Sequence, residues 1–315
     1  MSGAEILVVG SINLDMLVFQ GRLPLRGETA FADEFREDFG GKGANQAVQC
    51  ARLGNDVIFV GAVGADPRGA SCVKNLQDHG IECYIRSVDA PTGLGFVHVV
   101  GAGDVYATVL RGANDWVDGE WVHRHEHLFA RAGIVLLQNE VPVDGVEAAI
   151  RLAADRGARV LLNAAPAREI DPGLTRLCDY LIVNEEEAMF FLGRRVRDLQ
   201  EMRYAIPELK EYCSRVIVTL GESGSLVSFD SEIHHVPAIT VEPVDTTGAG
   251  DSFVGALAVG LNEGLDDLVA ASMAAAVAAV TTAGAGAQTR MPRREEVRHE
   301  AVRAKAPDYG PPPER

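Results

Sequence analysis

Ile6-Leu-Val-Val-Gly-Ser-Ile-Asn-Leu-Asp15 joins four consecutive apolar residues to a glycine and then to polar side chains. An unbroken apolar run of this length suits a strand buried on both faces. Comparable runs recur at Val57–Val60, Ile134–Leu137, Val160–Leu162, Leu181–Val183 and Val216–Leu220. Between them, Gln46–Leu53, Val143–Arg156 and Asp251–Asn262 carry apolar residues at helical spacing. The alternation predicts an α/β fold with a parallel sheet covered by helices. Ligands of such sheets bind beyond the C-terminal ends of the strands. There the first strand delivers Asn13 and Asp15, an amide and a carboxylate able to hold adjacent hydroxyls.

Two segments break this rhythm. Asp15–Asp38 and Gly95–Leu110 have period-2, hairpin-like sequence, the second with a Gly101-Ala-Gly-Asp104 turn. Strands outside the parallel sheet must bury an apolar face elsewhere, which predicts a small β lid beside the body. We expect one domain over residues 1–304, with lid segments near 13–39 and 95–112. The Pro-containing tail, 305–315, is expected to be disordered.

The formal net charge of -16 offers no field for nucleic acid or anionic lipid. Neither partner is expected. Five scattered cysteines, without a C-x-x-C pair, fit a reduced cytoplasmic setting. The Ala-rich run Ala270–Ala279 is too short to span a bilayer and reads as a tightly packed interior helix.

Asp245-Thr-Thr-Gly-Ala-Gly-Asp-Ser-Phe-Val-Gly-Ala-Leu257 places a glycine turn directly before a helix. The free amides of a helix start make an anion site. A carboxylate there repels a bound phosphate unless it has chemistry to perform. If a phosphoryl group is transferred, the amides of Gly248, Ala249 and Gly250 neutralise charge while Asp251 takes the proton of the attacking hydroxyl. Asp251 reads equally well as a helix cap.

A second glycine cluster precedes a helix in Gly40-Gly-Lys-Gly-Ala-Asn-Gln-Ala-Val-Gln-Cys-Ala-Arg-Leu-Gly54. It lacks the P-loop spacing, and the first strand lacks a dinucleotide fingerprint. Amides of Gly41 to Gly43 can approach a ligand, and Asn45 can add a contact. Lys42 can meet a phosphate or simply lie on the surface.

These residues resemble the ribokinase-like (PfkB) carbohydrate kinase family, with signature regions at Gly40–Gly64 and Asp245–Ala258. The resemblance runs from about Ile6 to Val297, and Gly10–Asp15 and Gly40–Ala47 look most like its ribokinase branch. It implies a three-layer sandwich with a central mainly parallel sheet and a small β-sheet lid, and an ATP-dependent kinase acting on the 5-hydroxyl of ribose. Carried over to matching positions, it implies that Asn13, Asp15, Gly41, Lys42, Gly43, Asn45 and Glu140 bind the sugar and that Asp251 is the base. ATP contacts fall to Asn184, to Thr219, Leu220, Gly221, Glu222, Ser223 and Gly224, and to Gly250 and Asp251. Glu187 would order water around Mg²⁺. Potassium would lie near Asp245, Thr247, Thr281, Gly284, Gly286 and position 290. Arg290 departs from the family pattern there, because a guanidinium cannot ligate a cation. It either points outward or brings its own charge to the cation position. The Asn common in the Ala-rich helix of relatives is missing around Ala275. The resemblance also implies a homodimer joined through the lid.

Other signals have plainer readings. His123, His125 and His127 lack the pattern of a metal site, and are expected on a solvated helix face where His123 and His127 share a side. Glu185 and Glu186 read as a solvated acidic first turn. Rival functions are a kinase of deoxyribose, fructose, ketodeoxygluconate or a nucleoside, a non-catalytic sugar sensor, and a nicotinamide-dependent oxidoreductase.

Overall fold

A computed structural model describes residues 4–101, 104–229, 232–242, 244–284 and 286–297. The predicted disordered tail, 305–315, and residues 102 and 103 of the predicted hairpin turn lie outside the described residues. The strands are β1 (Glu5–Val9), β2 (Asn13–Gln20), β3 (Glu34–Gly40), β4 (Val57–Gly64), β5 (Glu82–Val88), β6 (Gly93–Val100) and β7 (Asp104–Leu110). They continue as β8 (Ala132–Gln138), β9 (Arg159–Asn163), β10 (Tyr180–Asn184), β11 (Val216–Thr219), β12 (Ser225–Phe229) and β13 (Glu232–Val236). The helices are α1 (Lys42–Arg52), α2 (Pro67–Asp78), α3 (Gly119–Arg124), α4 (Val143–Arg156) and α5 (Pro172–Thr175). After them come α6 (Glu185–Leu192), α7 (Leu199–Leu209), α8 (Ala249–Asn262) and α9 (Asp267–Thr282).

Among the described residues the main sheet runs β13-β12-β11-β10-β9-β8-β1-β4-β5. It is parallel from β11 to β5, and β12 and β13 add an antiparallel edge. Adjacent residues of β1 serve opposite cores. Ile6 and Val8 pack with α1, α2, α8 and α9, whereas Leu7 and Val9 pack with α3, α4, α6 and α7. This is why the strand sequences are continuous apolar runs rather than alternating ones. The Ala-rich α9 packs close to α8, where a Cβ on Gly260 would stand 3.0 Å from the Ala270 methyl. Among the described residues no helix is long and apolar enough to cross a membrane.

The lid is a separate sheet in the order β3-β2-β6-β7. Its central pair, β2 and β6, is parallel, with Asn13 opposite Gly93 and Asp15 opposite Gly95. Here the sequence reading needs correction. Asn13 and Asp15 do not end the first strand of the main sheet; they stand on β2, across a short connector from Val9. They face the site as lid residues. The histidine reading changes as well: α3 ends at Arg124, and His127 falls in the following 3-10 turn, so His123 and His127 do not share a helix. His125 makes edge-to-face contacts with Trp121 and Tyr84.

Candidate active site

The C-terminal ends of β9, β10 and β11, the start of α8 and Lys42 line an open cleft of about 130 Å³. Its walls include Asn163, Asn184, Glu187, Thr219, Gly250 and Asp251. Gly248, at φ 77°, starts α8 and puts Asp251 in the first turn. The Asp251 carboxylate does not cap the helix. It accepts from Asn45 Nδ2 at 2.9 Å and from Gln46 Nε2 at 3.1 Å, both on α1. Two side-chain amides thus aim the carboxylate from a second helix, an arrangement that a cap does not need.

Gln46 belongs to a buried amide chain that the sequence reading missed. Its Oε1 accepts from Gln138, and its Nε2 donates to Asn163 as well as to Asp251. The signal was present in the sequence: Gln138, Asn163 and Asn184 each end an apolar strand run with an amide side chain. Gln288 was also missed, and it donates to Asn45 Oδ1 at 2.9 Å.

Of the predicted anion-binding amides, Gly248 and Gly250 have no backbone acceptor among the described residues. The Ala249 amide does have one, donating to Thr246 O at 3.2 Å, so its assignment to the anion hole is withdrawn. The first two amides of α1 are also spent inside the protein. Lys42 N donates to Glu140 Oε2, and Gly43 N to the Ser11 hydroxyl, which itself donates to Glu140. Glu140 therefore clamps the glycine loop to the β1–β2 connector with one oxygen, leaving the other available to a ligand.

Asn13 and Asp15 are presented differently. Asn13 is buried and fixed by Asn114, whose Nδ2 donates to Asn13 Oδ1 at 2.8 Å. Asp15 has no hydrogen-bond partner for its carboxylate among the described residues. It is wedged between glycines: a Cβ on Gly40 would lie 2.1 Å from Oδ2, and one on Gly95 2.2 Å from Oδ1. Burial, reinforced by the carboxylates of Glu140, Asp38 and Asp251, pushes the Asp15 carboxyl up to about 7. A half-buried acceptor with no protein donor is one that a ligand's hydroxyls can satisfy.

Lys42 is not a free surface lysine. It is half-buried on the cleft wall, and although burial works against its charge, Asp251, Glu140 and Glu187 hold the ammonium above its ordinary value. Glu187 is buried, whereas Glu185 and Glu186 are exposed, as expected. Asn184 and Glu187 form a reciprocal capping box, Asn184 N to Glu187 Oε2 at 2.9 Å and Glu187 N to Asn184 Oδ1 at 2.8 Å. Burial raises the Glu187 carboxyl against the Asn184 amide and Lys42, which lower it. Thr219 reaches the cleft, and Gly221, Glu222 and Ser223 form an exposed turn beside it, closed by Leu220 and Gly224.

In the segment before α8, Asp245 accepts from Thr247 N at 2.9 Å and, from the loop after α9, Gly286 N at 3.0 Å. Burial opposes its charge, yet these bonds and one from the Thr247 side chain keep the carboxyl below the usual range. The Thr281 hydroxyl is spent on Ser252 and Val277 O, leaving only its carbonyl for a cation. Arg290 is exposed but folds back on the loop, since a Cβ on Gly284 would stand 2.0 Å from its Nε.

Comparison with known proteins agrees with this geometry. Residues 4–294 match the model of the pfkB family of carbohydrate kinases. A ribokinase of Bacillus subtilis is 35% identical over 93% of this chain and 98% of its own length. A deoxyribokinase of Salmonella typhi is 34% identical over 93% and 97%. The structure of an Arabidopsis thaliana ribokinase complexed with ribose and ATP superposes with a TM-score of 0.87 at 33% identity, covering 94% of this chain and 98% of that one. A mainly parallel sheet under a four-stranded lid, with Asp251 held at a glycine-started helix, is thus joined to a match over nearly the whole chain, and the protein belongs to the pfkB family of carbohydrate kinases.

Proposed function

We propose that the protein transfers the γ-phosphoryl group of ATP to the 5-hydroxyl of D-ribose, with Asp251 as base. The observation that carries this reading is the Asp251 carboxylate, held by Asn45 and Gln46 on the wall of the cleft beside free helix-start amides. Asn13, Asp15 and the free oxygen of Glu140 hold the sugar. ATP lies along Asn184 and residues 219–224. As the sugar oxygen bonds to the γ-phosphorus, Asp251 takes its proton, the bond to the bridging oxygen breaks and ADP leaves. The amides of Gly248 and Gly250 and the Lys42 ammonium stabilise the charge on the transferring group. Lid residues exclude water that would otherwise accept it.

Among the described residues no group of three or more carboxylate, His or Cys side chains is arranged to hold a metal ion directly. This fits Mg²⁺ reached through water at Glu187 rather than caged by protein. When bound, it would neutralise the phosphates. The low-lying Asp245 carboxyl and the nearby carbonyls fit a monovalent cation, while Arg290 places its charge against the same loop. We expect the native enzyme to run nearly as fast in tetramethylammonium as in potassium, and Arg290→Ser to make potassium dependence steeper. Rates in the two buffers check this, and a steep requirement in the native enzyme removes the role given to Arg290.

The exposed Phe35, Phe96, Val105, Tyr106 and Val109 of the lid support a homodimer through that sheet, which sedimentation over a concentration series would test. An ADP-release screen over ribose, deoxyribose, fructose, ketodeoxygluconate and nucleosides tests the substrate. Ribose should give the highest kcat/KM; turnover that does not depend on sugar would end the proposal.

A further inference from the structure

Asp38 has no place in the reading so far, although it lies on the lid face that looks at the site. It pairs across the sheet with Asp15, so both side chains project to the same side. Its Oδ1 accepts from Phe39 N at 2.8 Å, and its Oδ2 crosses to the body and accepts from Ala287 N at 3.1 Å. The two bonds lower its carboxyl, but burial, the larger influence, and the neighbouring Asp245 raise it.

Three successive residues of the 286–288 turn hold three different carboxylates or their supports. Gly286 N donates to Asp245, Ala287 N to Asp38, and the Gln288 side chain to Asn45, whose Nδ2 donates to Asp251. The turn also admits the lid only because residue 286 is glycine. Its φ is 95°, and a Cβ there would stand 2.9 Å from Asp38 Oδ2.

We propose that Asp38 is a positioning residue that docks the lid onto the 286–288 turn and, through Gln288 and Asn45, sets the orientation of the Asp251 carboxylate. The inference rests on the reading of Asp251 as base. It makes the position of the sugar-bearing sheet and the aim of the base one coupled variable. A displaced lid loosens the turn, and a loosened turn releases Asn45 from its acceptor role.

The test is kinetics of Asp38→Ala and Asp38→Asn with whichever sugar supports turnover, together with amide hydrogen exchange at Ala287. A lost bond of this kind corresponds to about a tenfold effect. We expect kcat of the Ala variant to fall by about that factor, with the KM for ATP unchanged, and Ala287 to exchange about ten times faster. The Asn variant, which keeps one acceptor oxygen, should fall between. Because both act along one connection, Asp38→Ala with Gln288→Ala should lose no more kcat than the worse single variant. Glu37→Ala, on the exposed neighbouring position, should behave like the native protein. Unchanged exchange at Ala287 overturns the proposal. So does multiplicative loss in the double variant, or a change confined to the KM for sugar, which would mean that Asp38 acts only by its charge on Asp15. The exchange measurement needs no sugar, so a failure of ribose phosphorylation in the native enzyme would remove the ribose reading and leave this test standing.

Discussion

Asp251→Asn is expected to lower kcat by about three orders of magnitude, the range in which a positioned general base contributes. The change has two parts. The carboxylate that takes the proton is gone, and one of its acceptor oxygens becomes an amide facing the Asn45 or Gln46 donor. Donor would then face donor, and Asn45 or Gln46 would turn away. Cleft walls contributed by Asn184, Glu187 and Thr219 are untouched, so ATP should bind with nearly native affinity. Steady-state kinetics beside calorimetric titration of ATP separates the two effects. A variant that keeps more than a tenth of native kcat would return Asp251 to a structural role.

Asp15→Asn is expected to act in opposite directions on stability and on sugar binding. The folded protein raises this carboxyl from 3.8 to about 7. Below about pH 4 the side chain is neutral in both folded and unfolded chains, and it neither adds nor removes stability. Between about 4 and 7 the unfolded chain ionises while the folded one does not, so the native fold loses stability as pH rises through that window. Each unit of difference is worth about 1.4 kcal/mol. The Asn variant escapes this cost and should melt higher than the native protein at pH 8, with the gap closing towards pH 4. Its KM for sugar should nevertheless rise, because a carboxylate with two free acceptor oxygens has been replaced by an amide with one. In the native enzyme, KM for sugar should climb below pH 7 by up to about tenfold per unit as the acceptor is protonated. Melting curves and KM measured at matched pH values check both statements. Equal melting temperatures for the two proteins at pH 8 would show that the site does not strain the carboxylate.

Much of this molecule was legible in its sequence, and the reasons are local. Strands such as β8 and β10 are buried on both faces and appear as unbroken apolar runs. Helix α8 announces itself by glycine before a largely apolar stretch, and it is buried on all sides. Edge elements were harder to read. Strands β5 and β13 stand at the two edges of the main sheet and are only partly buried, so neither carries the apolar run that marks the interior. The lid segment read at 13–39 already took in Asn13 and Asp15, but the break between β1 and β2 was hidden because β2 follows β1 with only a short connector and no turn signature. At the site, the glycine-rich helix starts pointed to Asp251 and Asn45, and the family resemblance brought out Glu140 and the base reading of Asp251. Gln46 was passed over because a glutamine on an amphipathic helix ordinarily faces water, and its burial depends on Gln138, Asn163 and Asp251 arriving from remote segments. Asp38 was unreadable for a related reason: its partner is a backbone amide, which no side-chain pattern can reveal.

The parallel pairing of β2 with β6 bears on how the molecule comes to exist at all. The two halves of the lid are separated in the chain by α1, β4, α2 and β5, and neither half has the other within hairpin reach. Closing so long an intervening loop costs entropy that the few bonds of a small sheet cannot offset alone. Only when β1, β4 and β5 are side by side do the points from which the two halves emerge stand close together. The sugar-facing sheet is therefore a late product of folding, and in pulsed labelling the amides of β2 and β6 should be among the last to gain protection. A ribosome-bound chain that ends before β6 carries only one half of the lid and so cannot present the two-stranded floor on which Asn13 and Asp15 stand.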